Sequence, residues 1–79
     1  MKVYVVVKTQ TGDEYRTFVL GVYKDKHEAE KRFIDDILGR SYYEERTIGD
    51  LTDDEKRGIE DWDYWDDEYR LIISEEIVR

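Results

Sequence analysis

Carboxylates are the groups this chain concentrates. From Asp50 to Glu68 it reads DLTDDEKRGIEDWDYWDDE. Ten acids (Asp50, Asp53, Asp54, Glu55, Glu60, Asp61, Asp63, Asp66, Asp67 and Glu68) face two bases, Lys56 and Arg57. Their balance equals the net charge of the whole 79-residue chain, −8, because the other sixty residues carry eleven acids and eleven bases. Both tryptophans, Trp62 and Trp65, lie in the same stretch. The chain is therefore a balanced domain with one acidic segment, and a concentrated field of one sign calls for a partner of the other sign.

Such a segment can do three kinds of chemistry. The first is to stand in for nucleic acid. Carboxylates at i and i+2 of an extended chain lie about 7 Å apart, close to the phosphate spacing along one DNA strand. Those at i, i+3 or i, i+4 on a helix lie about 5–6 Å apart. Asp61 with Asp63, Asp66 with Glu68, and Asp50 with Asp53 or Asp54 have such spacings. Tyr64 and Trp65 would add apolar contact at the centre, since Trp and Tyr are enriched where binding energy concentrates. The plainer reading of the same residues is a solvated face that aids solubility.

The second is cation binding. Asp61, Asp63, Asp66, Asp67 and Glu68 offer hard oxygen ligands, but their spacing fits no EF-hand loop and the glycine of its sharp turn is missing. No metal or cofactor is expected. The third is general acid–base catalysis, which needs carboxylates of perturbed pKa in a cleft. A domain of this size has little room for one. There is no cysteine, no Gly-rich phosphate loop and no serine elbow, and the single histidine, His27, sits among charged residues as a solvated group. The chain reads as a non-enzyme.

Composition narrows the partners. The acidic balance disfavours direct binding to nucleic acid or to anionic membrane, which leaves basic proteins. The N-terminal apolar run, Val3 to Val7, is too short for a signal-peptide core or a membrane span, so a cytoplasmic protein is expected. Charged residues are 43% of the chain, which alone would suggest disorder; the 14% of aromatics argues for a fold.

The elements that must position the acids can be read in order. Residues 2–10 are valine-rich and read as a strand, with Val3, Val5 and Val7 on one face and Tyr4 and Val6 on the other. Thr11 to Glu14 is a turn signal, and 15–24 a second strand whose Gly21 suggests a bulge. Asp25 reads as the N-cap of a helix over 26–38 with an apolar stripe of Ala29, Phe33, Ile34, Ile37 and Leu38, closed by Gly39. Residues 40–51 read as a loop with an aromatic patch at Tyr42 and Tyr43; Glu44 and Glu45 would extend the acidic surface. Thr52 and Glu55 form a capping box for a helix over about 53–61, interrupted by Gly58. Asp61 to Glu68 has no clear state, since Asp disfavours both helix interior and strand. A third strand is expected over about 68–74.

The outline is a single α+β domain over residues 1–79, β-β-α-α-β, an antiparallel sheet with helix packed on one face. Strand 1 is apolar on both faces. Its second face, with Tyr4 and Val6, needs cover from the second helix or from another copy, so a homodimer is expected. Of the two tryptophans, one is expected in the core and one partly exposed.

A short, cysteine-free acidic chain with the stretch DDEKRGIEDWDYWDDEYR resembles the small DNA-mimic proteins of bacteriophages. Within that group it is most similar in character to host-takeover proteins of Bacillus phages, one type of which blocks the nucleoid protein HU by occupying its DNA-binding surface. The segment GVYKDKHEAEKRF also resembles small β-β-α domains of phages and bacteria. The resemblance implies an inhibitor that binds a basic DNA-binding host protein. The alternative is an adaptor or inhibitor module anchored by its aromatics on a partner unrelated to DNA.

Overall fold

The fold is built around the stripe Ala29, Phe33 and Ile37, which recurs every four residues and is wholly buried. A computed structural model describes residues 1–10, 16–39 and 47–79. Strand β1 (Lys2–Gln10) and strand β2 (Arg16–Tyr23) are followed by helix α1 (Lys26–Leu38). A single 3-10 turn (Ile48–Asp50), helix α2 (Asp53–Asp61), strand β3 (Asp63–Trp65) and strand β4 (Tyr69–Ile77) complete the chain. The sheet order is β2-β1-β4-β3 and every pairing is antiparallel. The architecture is α+β in the order β-β-α-α-β-β, one strand more than the sequence reading. The expected turn at Thr11–Glu14, the Tyr42–Tyr43 patch, Glu44 and Glu45 lie outside the described residues. Among the described residues no helix is long and apolar enough to cross a membrane.

Local chemistry sets the element ends. Asp25 caps α1, its Oδ1 accepting the His27 N–H at 2.8 Å. The Gly39 N–H donates to the Asp35 carbonyl at the other end. The α1 stripe packs on Val6, Leu71 and Ile73, with Tyr4, Leu20, Tyr23, Leu51, Ile59, Trp62 and Tyr64 closing around them. Deleting a buried ring such as that of Phe33 costs about 3–5 kcal/mol.

Register decides which side of the sheet is covered. Val6 pairs with Gly21 and Val7 with Val19, so Leu20 is the extra residue of a β-bulge at the expected place. A Cβ on Gly21 would lie 2.6 Å from the outer atoms of the Tyr23 ring, so any side chain there would require that ring to move. Both helices cover the face that carries Tyr4 and Val6. Alternation along the paired strands leaves Val3, Val5, Val7, Val19, Val22 and Ile72 on the opposite face. The face expected to need a second cover is therefore the one both helices share. The Met1 end of β1 and the far end of β4 meet at the sheet rim, where the Val78 N–H donates to the Met1 carbonyl at 2.7 Å.

The added strand follows from how α2 ends. Trp62 adopts φ 57° and ψ 29°, left-handed backbone that costs a non-glycine residue about 1 kcal/mol. The cost is offset by an edge-to-face contact with Tyr4 at 5.8 Å and by hydrogen bonds of its N–H to α2 carbonyls. The reversal sends Asp63–Trp65 back along β4, and Asp66 closes the turn between the two strands. Its Oδ1 accepts the N–H groups of Glu68 (2.8 Å) and Tyr69 (3.1 Å).

Gly58 is the close-approach point between α2 and β3. A Cβ there would lie 2.7 Å from Tyr64 Cβ and 3.1 Å from Tyr64 Cα. Alanine is favoured over glycine in a helix by about 1 kcal/mol, but forcing β3 away costs about 1–3 kcal/mol. Gly58→Ala is expected to lower the stability measured by urea unfolding; a rise in the midpoint would show that this contact is not tight. Thr52→Ala, which removes the α2 cap, is expected to cost about 1 kcal/mol in the same assay.

Candidate functional site

The acidic residues reach the surface on three elements, α2, β3 and the turn between β3 and β4. The capping box of α2 uses Thr52 and Glu55: Glu55 Oε1 accepts the Thr52 N–H at 2.9 Å, and Thr52 Oγ1 accepts the Glu55 N–H at 3.2 Å. The first turn of α2 places Asp53, Asp54 and Glu55 at the positive end of the helix dipole. Acids that would repel each other in an extended chain are thus held by the helix itself.

A surface concavity of about 510 Å³ gathers part of the set. Asp54, Arg57, Gly58 and Asp61 line it from α2, Asp63, Tyr64 and Trp65 from β3, and Asp66 and Asp67 from the turn. Five carboxylates from three elements therefore converge around one guanidinium and two rings. Trp65 stands 71% exposed beside it, while Trp62 is half-buried against the core. The expected division is one ring in the core and one partly exposed; both are further out, Trp62 at the edge of the core and Trp65 largely in solvent.

The remaining acids have other places. Glu55 is 5% exposed and spent on the cap, so it offers nothing to a partner. Asp50 holds the 3-10 turn through the Thr47 N–H at 2.8 Å and the Thr47 hydroxyl at 3.1 Å. Asp53 and Glu60 are exposed on α2 but do not line the concavity. Glu68 lines a different depression, with Lys8, Arg32, Asp35, Asp36 and Tyr69. Tyr64 is half-buried, and its hydroxyl donates to Asp66 Oδ2 at 3.3 Å.

Two residues of the site were not singled out from sequence. Arg57 sits three residues after Asp54 and four before Asp61, helical spacing that puts all three on one side of α2. Arg70 fixes Asp63: its Nε donates to Asp63 Oδ1 at 2.9 Å and its Nη2 to Oδ2 at 2.6 Å. No sequence spacing reveals that contact, because the β3–β4 register creates it.

One carboxylate of the set, Asp63, is held in its charged form. Hydrogen bonds from the Arg70 guanidinium, and its positive charge, hold the Asp63 carboxyl below the ordinary aspartate range; Asp63 in turn raises Arg70. A carboxylate kept ionised in this way is a poor acid. Among the described residues no three His, Asp or Glu side chains are placed to hold a metal ion. What the arrangement does is present negative charge on a rigid backing, with an indole beside it.

The Asp63–Arg70 pair gives a signed pH dependence. A carboxyl whose pKa is lower in the folded state contributes fully above its unfolded value, about 3.9 for Asp, and that contribution is lost as pH falls through the lower folded value. Asp63→Asn is expected to reduce the urea midpoint at neutral pH. The gap between the two proteins is expected to close as pH falls through the lowered folded-state pKa of Asp63. A gap that widens on acidification would reverse the assignment.

Comparison of the chain with family models, with curated proteins and with solved structures returned no match, so the functional reading rests on the chemistry of this surface.

Proposed function

We propose that this protein is an acidic DNA mimic that binds a basic DNA-binding protein on the surface that protein uses for DNA, and so inhibits its DNA binding. A nucleoid protein of the HU type is the favoured target, and the setting is the cytoplasm of a bacterial host taken over by a phage. The observation that carries the reading is the convergence of Asp54, Asp61, Asp63, Asp66 and Asp67 on one concave surface. The Asp66 turn and the Arg70 pair hold two of these carboxylates, and the capped helix α2 sets the backbone of Asp54 and Asp61. The mode of action is occupancy, which needs no catalytic group and no cofactor.

A second reading is favoured by one observation. Trp65 is 71% exposed at the edge of the acids, and exposed indoles commonly anchor interfaces. An adaptor or inhibitor module anchored on Trp65 would act on a partner unrelated to DNA.

The two readings separate in one set of measurements. The protein, immobilised at low salt, is exposed to bacterial lysate and eluted with duplex DNA, and a basic protein so released is titrated against variants. The mimic reading expects binding to weaken at least about 10-fold between roughly 50 and 200 mM salt. It also expects a loss of about 10-fold or more for Asp61→Lys with Asp67→Lys, both exposed positions. Binding that survives the double reversal, resists DNA competition and collapses in Trp65→Ala would replace it with the adaptor reading.

A further inference from the structure

The sheet face away from the helices is apolar at its centre, with Val3 buried, Val5, Val7 and Ile72 half-buried, and Val19 and Val22 exposed. Its centre is Val5, Val7 and Ile72 in neighbouring register, with Val22 opposite Val5 and Val19 opposite Val7. Val19 is 63% and Val22 59% exposed. Few charges reach this face: Arg70 and Asp63, paired with each other, at one end of β4 and Glu76 at the other.

We propose that this face is the contact between two copies of the chain, packed sheet to sheet about a two-fold axis that crosses β4 at the level of Ile73. Charge complementarity selects this occupant. Arg70 and Glu76 lie on one strand on either side of Ile73, at equal separation. A two-fold axis lying in the interface, perpendicular to β4 at that level, sets Arg70 of each copy against Glu76 of its partner. Two of the five guanidinium N–H groups of Arg70 donate to Asp63, and the others remain for a second carboxylate. The same operation lays Val7 of one copy over Val5 of the other and Val19 over Val22, with Ile72 over Ser74.

Self-repulsion does not oppose it. Sheets packed face to face lie about 10 Å apart, and the helices of each copy sit on the outer side. The two α2 helices are then about 30 Å apart, several Debye lengths at physiological salt. Size sets the strength. Three strands of eight or nine residues make a patch of about 30 by 15 Å, less than a standard stable interface. The dimer is therefore reversible, with a dissociation constant on the order of micromolar. The α2 walls of its two acidic concavities would face outward, while Asp63 and Trp65, which share the face of Ile72 and Arg70, would lie at the edge of the contact.

Sedimentation equilibrium of the whole chain, from about 5 to 200 μM, tests this directly. The expected mass rises with concentration to twice 9.6 kDa. Val19→Lys with Val22→Lys, at positions already more than half exposed, is expected to hold the mass at 9.6 kDa with an unchanged far-ultraviolet circular dichroism spectrum. Glu76→Arg, which would set like charges together, is expected to weaken the dimer about 10-fold or more. A wild-type chain that stays monomeric, or one that grows past a dimer, overturns the proposal. So does a dimer unaffected by the valine or Glu76 substitutions.

Discussion

At Tyr64 the backbone of β3 runs against α2 with no space for a methyl group between them. Gly58 makes that approach possible, and the acidic surface depends on it, because the concavity is the wall between these two elements. With any larger residue at 58, β3 would stand off, and Asp63 and Trp65 would move away from Asp54 and Asp61. Helix propensity argues against glycine here by about 1 kcal/mol. Its presence means that helix stability is conceded for the position of the neighbouring strand.

The acids around that wall divide by what they touch. Glu55 and Asp66 face inward to backbone N–H groups, one closing the start of α2 and the other the turn into β4. Asp63 is tethered by Arg70. These three hold shape, and Asp54, Asp61 and Asp67 complete the charged rim. The division explains how a stretch with ten acids and two bases folds at all: part of its charge replaces water as the partner of backbone groups that would otherwise lack one.

Much of this was legible in the residues. The valine run, the Ala29–Phe33–Ile37 stripe and the Thr52–Glu55 box announce β1, α1 and α2 with their observed bounds. Gly21 marks the bulge. Strand β3 was not legible, because Tyr64 and Trp65 favour a strand but stand alone between aspartates that do not; its cause is the left-handed turn at Trp62 and the pairing with β4, both tertiary. Periodicity also could not choose which face of β1 the helices cover, since valine and tyrosine make both faces apolar. Charge located the acidic site but could not rank its members, as a capping carboxylate and a presenting one have the same composition.

The order of strands in the sheet carries one more consequence. The two central strands, β1 and β4, are the first and the last, joined from Lys2 with Ile77 to Gln10 with Tyr69. Their pairing closes nearly the longest loop the described chain allows, and contacts so distant in sequence slow folding.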